Sequence, residues 1–484
     1  MQWYAKLPPG PRRILPFLGL YDFPASGDPL PWVSHFPLYG SISSVTVLGR
    51  TVVLLNDLTT CTELLNKRSA IYSGRPVFPF AGDMIGWDQQ LIMAQCNSHF
   101  YTMRRLLKTH IGTPKAAAEF QYVQERETRN LLRRLLLDHP DNVQRNIRLV
   151  AGAIALSISH GYSVHRDGPD PFISLVEKAA REFYQATLPG AWMVDTFPFL
   201  RHIPDWVPWV TFKKIAAQYR ADNFEQSNAP FDYVKNTMAV GTAVPSFLAN
   251  VLKSGVNSDA EYSAKFAATA IYGGGSDPVV AALSTFMLLM ALNPEVQAKA
   301  QDEIDSVVGP DELPSFKHKD DLIYINAMVK EVFRWHSTGR IGIPHRVIQD
   351  DYYDGYLIPK DSIIIPHIWN ITRDSKIYHN PDQFCPERFL DENGHIPELD
   401  PCTFFFGFGR RICPGEDLAK AHMFITIAMI LATFSIQKPS NKTGNKVQSV
   451  VEFEGGTVCH PKPFDITIEP RTEQARVLIE SMVL

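Results

Sequence analysis

Two β-hairpin signals lie far apart in this chain, and most of what surrounds them carries helical patterning. Within residues 44–55, two β-branched runs flank a turn containing Gly49. Within residues 341–368, Tyr352-Tyr353-Asp354-Gly355-Tyr356-Leu357-Ile358 repeats the pattern with Asp-Gly as the turn. Helices are predicted over 118–137, 259–292, 293–308, 321–336 and about 416–436. The helix over 293–308 is opened by Asn293-Pro294-Glu295, a cap followed by proline at the first helical position. Strands this widely separated lack βαβ spacing, which disfavours doubly wound sheets and α/β barrels. The prediction is a mainly α fold with a small β portion. At roughly 150 residues per domain the 484-residue length suggests about three domains. No internal repeat or low-complexity linker divides it, so 1–484 is expected to form one integrated unit.

Composition narrows the chemistry. A net charge of −4 argues against a nucleic-acid binder built on bulk positive charge. Six cysteines are too few for a disulfide scaffold, and none forms a C-x-x-C pair, which disfavours zinc knuckles and thioredoxin-type redox chemistry. No run reaches the ~18–20 apolar residues of a membrane span. The longest candidate, 423–436, contains Thr426, Thr433 and Ser435 and reads as a buried core helix. Residues 7–13, Leu-Pro-Pro-Gly-Pro-Arg-Arg, form a stiff basic segment. It suits a plain N-terminal arm or the hinge after a membrane anchor that this chain lacks.

The most informative stretch is Phe404-Phe405-Phe406-Gly407-Phe408-Gly409-Arg410-Arg411-Ile412-Cys413-Pro414-Gly415-Glu416-Asp417. Its glycines permit positive φ and close backbone approach. Cys413 sits just before a predicted helix and beside two arginines, features that favour a thiolate. A single cysteine ligand in an apolar loop suits haem-thiolate iron. An isolated cysteine before a core helix is more often a packed side chain, and on this loop alone both readings stand.

Phe406, Gly409, Arg411, Cys413 and Gly415 together spell F-x-x-G-x-R-x-C-x-G, which resembles the haem-binding loop of cytochromes P-450. Two further motifs of that family follow in its order, Glu331-Val332-Phe333-Arg334 for E-x-x-R and Pro386-Glu387-Arg388-Phe389 for P-E-R-F. The resemblance runs from Leu7-Pro8-Pro9-Gly10-Pro11 to Gly455-Gly456-Thr457, and its flavour is that of membrane-associated fungal secondary-metabolism members. It implies the P-450 fold, haem b with Cys413 as axial ligand, and a buried triad of Glu331, Arg334 and Arg388 supporting the loop. It also implies haem-propionate contacts from Arg411, His345 and Arg104. In the W-x-x-x-R motif that Arg104 closes, tryptophan has become Phe100.

The segment matching the family's oxygen-activating (A/G)-G-x-(D/E)-T-(T/S) departs from it. Gly274-Gly275-Ser276-Asp277-Pro278-Val279 keeps the acid as Asp277 but places Pro278 where threonine stands. Neither Pro278 nor Val279 carries a hydroxyl. Three glycines followed by Ser-Asp-Pro also read as a helix stop and restart, so a kink or break is predicted between Tyr272 and Pro278. Ordinary oxygenation, with water, Ser276 or a substrate hydroxyl carrying protons, competes with coupling, ring closure or rearrangement without oxygen insertion. A haem-binding sensor or carrier is the reading from another class.

The resemblance implies electrons from NADPH through a separate cytochrome P-450 reductase, with cytochrome b5 as a further donor and Arg105, Lys108 and Arg410 as basic contacts. It places the protein at the cytosolic face of the endoplasmic reticulum membrane, acting on an apolar small molecule. Pocket lining is expected from 77–93, 183–192, 270–276, 339–343 and 457–458. The aromatic, proline-rich stretch of Pro198, Phe199, Pro204, Trp206, Pro208 and Trp209 suits a membrane interface or interhelical packing.

Overall fold

The computed structural model describes residues 6–11, 30–47, 49–138, 142–165, 168–207, 210–392, 394–439 and 451–482. Arg12, Arg13, Pro208 and Trp209 lie outside them. The main helices are α1 (Ser98–His110), α2 (Gln121–Leu137), α3 (Val143–His160), α4 (Pro171–Thr187), α5 (Phe212–Ala239), α6 (Ser258–Leu292), α7 (Pro294–Val307), α8 (Ile323–Trp335) and α9 (Glu416–Thr433). A four-stranded sheet has the order β1 (Ile42–Val47), β2 (Arg50–Leu55), β6 (Ile363–Pro366), β3 (His345–Arg346). Two two-stranded ribbons complete the β portion, β4 (Asp351–Tyr353) with β5 (Tyr356–Ile358) and β7 (Phe434–Gln437) with β8 (Thr467–Pro470).

Both predicted hairpins form. Gly49 turns β1 into β2 at φ 79°, and Asp354 and Gly355 take φ 50° and 77°, the paired positive values of a two-residue hairpin loop. The widely spaced strands meet because β2 pairs parallel with β6, Val52 opposite Ile363. Only tertiary structure supplies that crossing.

The helix predicted over 118–137 begins later, at Gln121, after a separate turn Pro114–Ala118. Asn293 does not cap α7, because its side chain donates back to the Leu289 carbonyl at 2.9 Å. The helix predicted to reach 436 stops at Thr433, and Phe434–Gln437 become a strand. A short apolar run fits either state, and pairing with β8 decides it.

The core centres on α6, packed against α1, α3 and α9. Its most apolar stretch has a mean hydropathy of 1.5 and is 72% buried. By length and composition it could therefore cross a membrane, against the expectation that no run reaches that length, but here it is the central helix of the fold. The proline-rich segment is packed as well. Ser44 donates from its backbone N–H to the Pro9 carbonyl and from its hydroxyl to that of Pro8, and Leu357 N–H donates to Lys6. A Cβ on Gly10 would stand 1.8 Å from the Ser44 carbonyl oxygen, so only glycine allows this approach.

Candidate active site

The Cys413 loop is built by two helical turns, Cys402–Phe405 and Gly409–Arg411, that lead into α9. Cys413 N–H donates to the Phe406 carbonyl at 2.8 Å, closing the loop under the thiol. Gly407 and Gly409 have φ 85° and 53°. Gly409 N–H donates to Asn66 Oδ1 at 2.6 Å, and a Cβ there would lie 2.2 Å from the Leu65 carbonyl oxygen. We expect Gly409→Ala to cost at least about 2 kcal/mol of stability through overpacking against rigid backbone, read as a lowered melting temperature. Gly415 differs from expectation. Its φ is −100°, so it serves as the residue before α9 and leaves room beside the Cys413 sulfur, 4.0 Å from where a Cβ would stand.

Cys413 keeps accessible surface although the fold encloses it, so it faces an internal opening. Burial pushes its thiol up, opposed by the Gly415 N–H and the charge of Arg104. The two neighbouring arginines, expected to favour the thiolate, point elsewhere. Arg410 donates to the Tyr101 hydroxyl at 2.8 Å, and Arg411 donates to the carbonyls of Ser73 (2.9 Å) and Ala94 (2.6 Å).

A group of cations stands beside the loop. Arg411 lies over the Phe100 ring, 4.1 Å from its centroid, so the aromatic that replaces tryptophan keeps a stacking role without an N–H. Arg104 donates to the Ile412 carbonyl at 2.6 Å. His345 donates from Nδ1 to the Tyr72 carbonyl at 2.9 Å. Burial, together with the charges of Arg75 and Arg411, pushes its pKa down to about 3, so it is neutral here rather than the cation expected. Arg75, which no sequence pattern singled out, completes the group. It is buried and donates to the carbonyls of Ile92, Ile343 and Pro344. Among the described residues, no carboxylate pairs with Arg75, Arg104 or Arg411.

Behind the loop, Glu331, Arg334 and Arg388 meet in one buried cluster. Arg334 donates to both oxygens of Glu331, at 2.7 and 2.8 Å, and Arg388 Nε reaches it at 3.2 Å. The remaining guanidinium hydrogens go to the carbonyls of Thr372, Pro381, Gln383 and His379 and to Glu398. Phe333 on the same helix stacks on Phe405, with centroids 4.6 Å apart, and meets Phe406 edge-on, which ties α8 to the cysteine loop.

Helix α6 runs unbroken from Ser258 to Leu292, with no split at Gly273–Pro278. Buried packing on both flanks, Ala264–Tyr272 and Val279–Ala291, outweighs the local preference for a stop. Residues 273–278 form the longest unburied run between these flanks, and a Cβ on Gly273 or Gly274 would meet nothing within 4 Å. The Ser276 hydroxyl donates back to the Tyr272 carbonyl at 3.2 Å. Pro278 has no N–H to offer the Gly274 carbonyl. Asp277 Oδ1 receives Arg148 Nη1 and His460 Nε2, each at 3.1 Å. Burial pushes this carboxyl up, but the His460 hydrogen bond and the charges of His460 and Arg148 outweigh it and keep it ionised.

Over the expected pocket, Phe80 stacks on Trp192 at 3.7 Å and Trp87 packs on Phe183 at 4.5 Å, in a cluster separate from the main core. Gln90 ties this roof to α5 through buried bonds to Asn223 (3.1 Å) and Ser227 (3.0 Å). Phe199 and Trp206 are 66% and 81% exposed, so they do not pack between helices.

The cytochrome P-450 family profile matches residues 8–468. The chain is 49% identical over 474 residues to the cytochrome P-450 monooxygenase claR of Ampulloclitocybe clavipes, covering 98% of this chain and 88% of that protein. It is 38% identical over 482 residues to O-methylsterigmatocystin oxidoreductase of Aspergillus flavus, covering 98% and 90%. To the multifunctional cytochrome P-450 monooxygenase af510 of Aspergillus fumigatus it is 35% identical over 480 residues, covering 96% and 88%. The chain belongs to the cytochrome P-450 family. Within it, this is a haem-thiolate monooxygenase of the kind found in fungal natural-product pathways.

Proposed function

We propose that Cys413 is the axial thiolate of a haem b, and that the enzyme inserts oxygen into an apolar biosynthetic intermediate. The carboxylate-free group of Arg75, Arg104 and Arg411 carries this reading. Buried cations without counter-charge are costly, and a dianionic ligand such as the two haem propionates supplies what they lack. When bound, the haem supplies dioxygen reduction and hydrogen abstraction, with the cysteine favouring O–O cleavage.

The chain's own residues do the rest. Arg411, Arg104 and Arg75, held by carbonyls, present fixed positive charge. His345, with Nδ1–H committed to Tyr72, offers Nε2. Phe406, Gly409 and Gly415 shape the loop, and the Glu331–Arg334–Arg388 cluster fixes its height. Asp277 holds an ionised oxygen beside the exposed glycines of α6, while Ser276 is engaged with Tyr272 and Pro278 has nothing to donate. The aromatic roof of Phe80, Trp87, Phe183 and Trp192 keeps water from an apolar substrate. One relative is named for O-methylsterigmatocystin, and the aromatic cluster here suits an apolar organic substrate.

Electrons come from an NADPH-dependent cytochrome P-450 reductase, with cytochrome b5 as a second donor. Arg105, Lys108 and Arg410 are exposed on that side of α1 and the loop. The exposed Phe199 and Trp206 suit a lipid interface, which supports a site of action at the endoplasmic reticulum membrane, facing the cytosol. Turnover with reductase and NADPH under ¹⁸O₂ is expected to place one labelled atom in the product. Product formed without label would instead assign coupling or rearrangement, the chemistry that Pro278 leaves open.

A further inference from the structure

Asp277 has a partner from the far end of the chain. His460 Nε2 shares Asp277 Oδ1 with Arg148, both at 3.1 Å. The imidazole is positioned from several sides. Glu454 N–H donates to the His460 carbonyl at 2.8 Å, and Phe453 bridges Pro461. The preceding residue, Cys459, is held by the Thr338 carbonyl and by His336 Nε2, each at 2.9 Å. The His460 side chain is 20% exposed and that of Asp277 33%, so both keep accessible surface beside the open stretch of α6.

We propose that His460 is a positioning residue that relays protons from solvent to Asp277, in compensation for the hydroxyl missing at Pro278. This rests on reading Asp277 as the acid of the oxygen-reducing site. The overall reaction, RH + O₂ + NADPH + H⁺ → ROH + H₂O + NADP⁺, delivers two protons and two electrons to dioxygen. The Nε2–H bond of the imidazolium breaks as an O–H bond forms on Asp277 Oδ1, and that O–H bond breaks in turn as the oxygen being reduced takes the proton, which returns Asp277 to its carboxylate. Neutral imidazole then regains a proton from water.

The other charged groups around the pair do not serve. Arg148, from α3, does not give up its proton at neutral pH, and its charge keeps Asp277 ionised. Glu177 on α4 reaches only Arg148, at 3.9 Å. His336, at the end of α8, has its pKa pushed down to about 3 by burial, with Arg340, Arg373 and His460 adding to the effect. Glu454 meets His460 through its backbone alone.

The test compares wild type, His460→Gln and Asp277→Asn on two readouts. One is the product formed per NADPH across pH with reductase present. The other is the chemical shift of the His460 ring, followed by NMR of histidine-labelled protein without turnover. We expect His460→Gln to lower product per NADPH by about tenfold or more, to flatten its pH profile, and to leave the carbon-monoxide spectrum intact. The His460 ring resonances are expected to move in Asp277→Asn relative to wild type, because the contact is lost. A loss in Asp277→Asn with none in His460→Gln would overturn the relay and leave the Asp277 reading standing. No loss in either variant would remove both. Unchanged His460 ring resonances in Asp277→Asn would remove the contact itself, whatever the folding yield of His460→Gln.

Discussion

Glu331→Gln yields almost no folded, haem-loaded protein: that is the first expected result, although the change alters the shape of one fully buried side chain hardly at all. The carboxylate accepts two bonds from Arg334, one from Arg388 and one from Cys385 N–H at 2.8 Å. Glutamine removes the negative charge that bridges the two guanidinium groups and turns one acceptor oxygen into a donor facing an arginine. Breaking a buried ion pair on one side typically costs ~3–5 kcal/mol, against a total stability of about 5–15 kcal/mol. The damage reaches the active site because α8 carries both Glu331 and the Phe333 ring that holds Phe405 and Phe406. Yield, melting temperature and the carbon-monoxide spectrum of the same preparation measure it. A variant that melts within a degree or two of wild type would show that the carbonyls around Arg334 suffice without the carboxylate.

Cys413→Ala has the opposite profile: a folded protein without its chemistry. The thiol faces an opening and packs little, so its removal leaves no closed cavity. The thiolate signature of the reduced, carbon-monoxide-bound form is expected to vanish, and product formation to fall to background. The other cysteines are poor substitutes. Burial pushes the thiols of Cys61 and Cys402 up, the latter with help from Asp400. The sulfur of Cys96 accepts from Arg411 at 3.7 Å. A thiolate-type spectrum that persists in Cys413→Ala would move the iron ligand elsewhere and undo the proposed function.

The contrast between these variants follows what could be read along the chain. Cys413, Glu331 and Arg388 were legible because each lies in a short pattern whose spacing the chemistry demands. The hairpins were legible because Gly49 and Asp354-Gly355 supply the backbone conformations a turn needs. Arg75 and His460 were not, because nothing local marks one arginine or one histidine that only the fold brings beside Arg411 or Asp277. At Gly273–Pro278 the local signal was strong and misleading. Glycine and proline weaken a helix by their own preferences, yet α6 is clamped by its neighbours at both flanks. Phe434–Gln437 failed for a related reason, since a four-residue apolar stretch takes its state from the strand it meets.

The carbonyl-held arginines also bear on how this protein is made. Arg75 and Arg411 repel each other, as do Arg411 and Arg104, and the chain alone carries that repulsion in its folded state. A dianion that binds only the folded form removes the penalty and stabilises the fold by mass action. Haem supplied during synthesis is therefore expected to raise the yield of folded protein and its melting temperature.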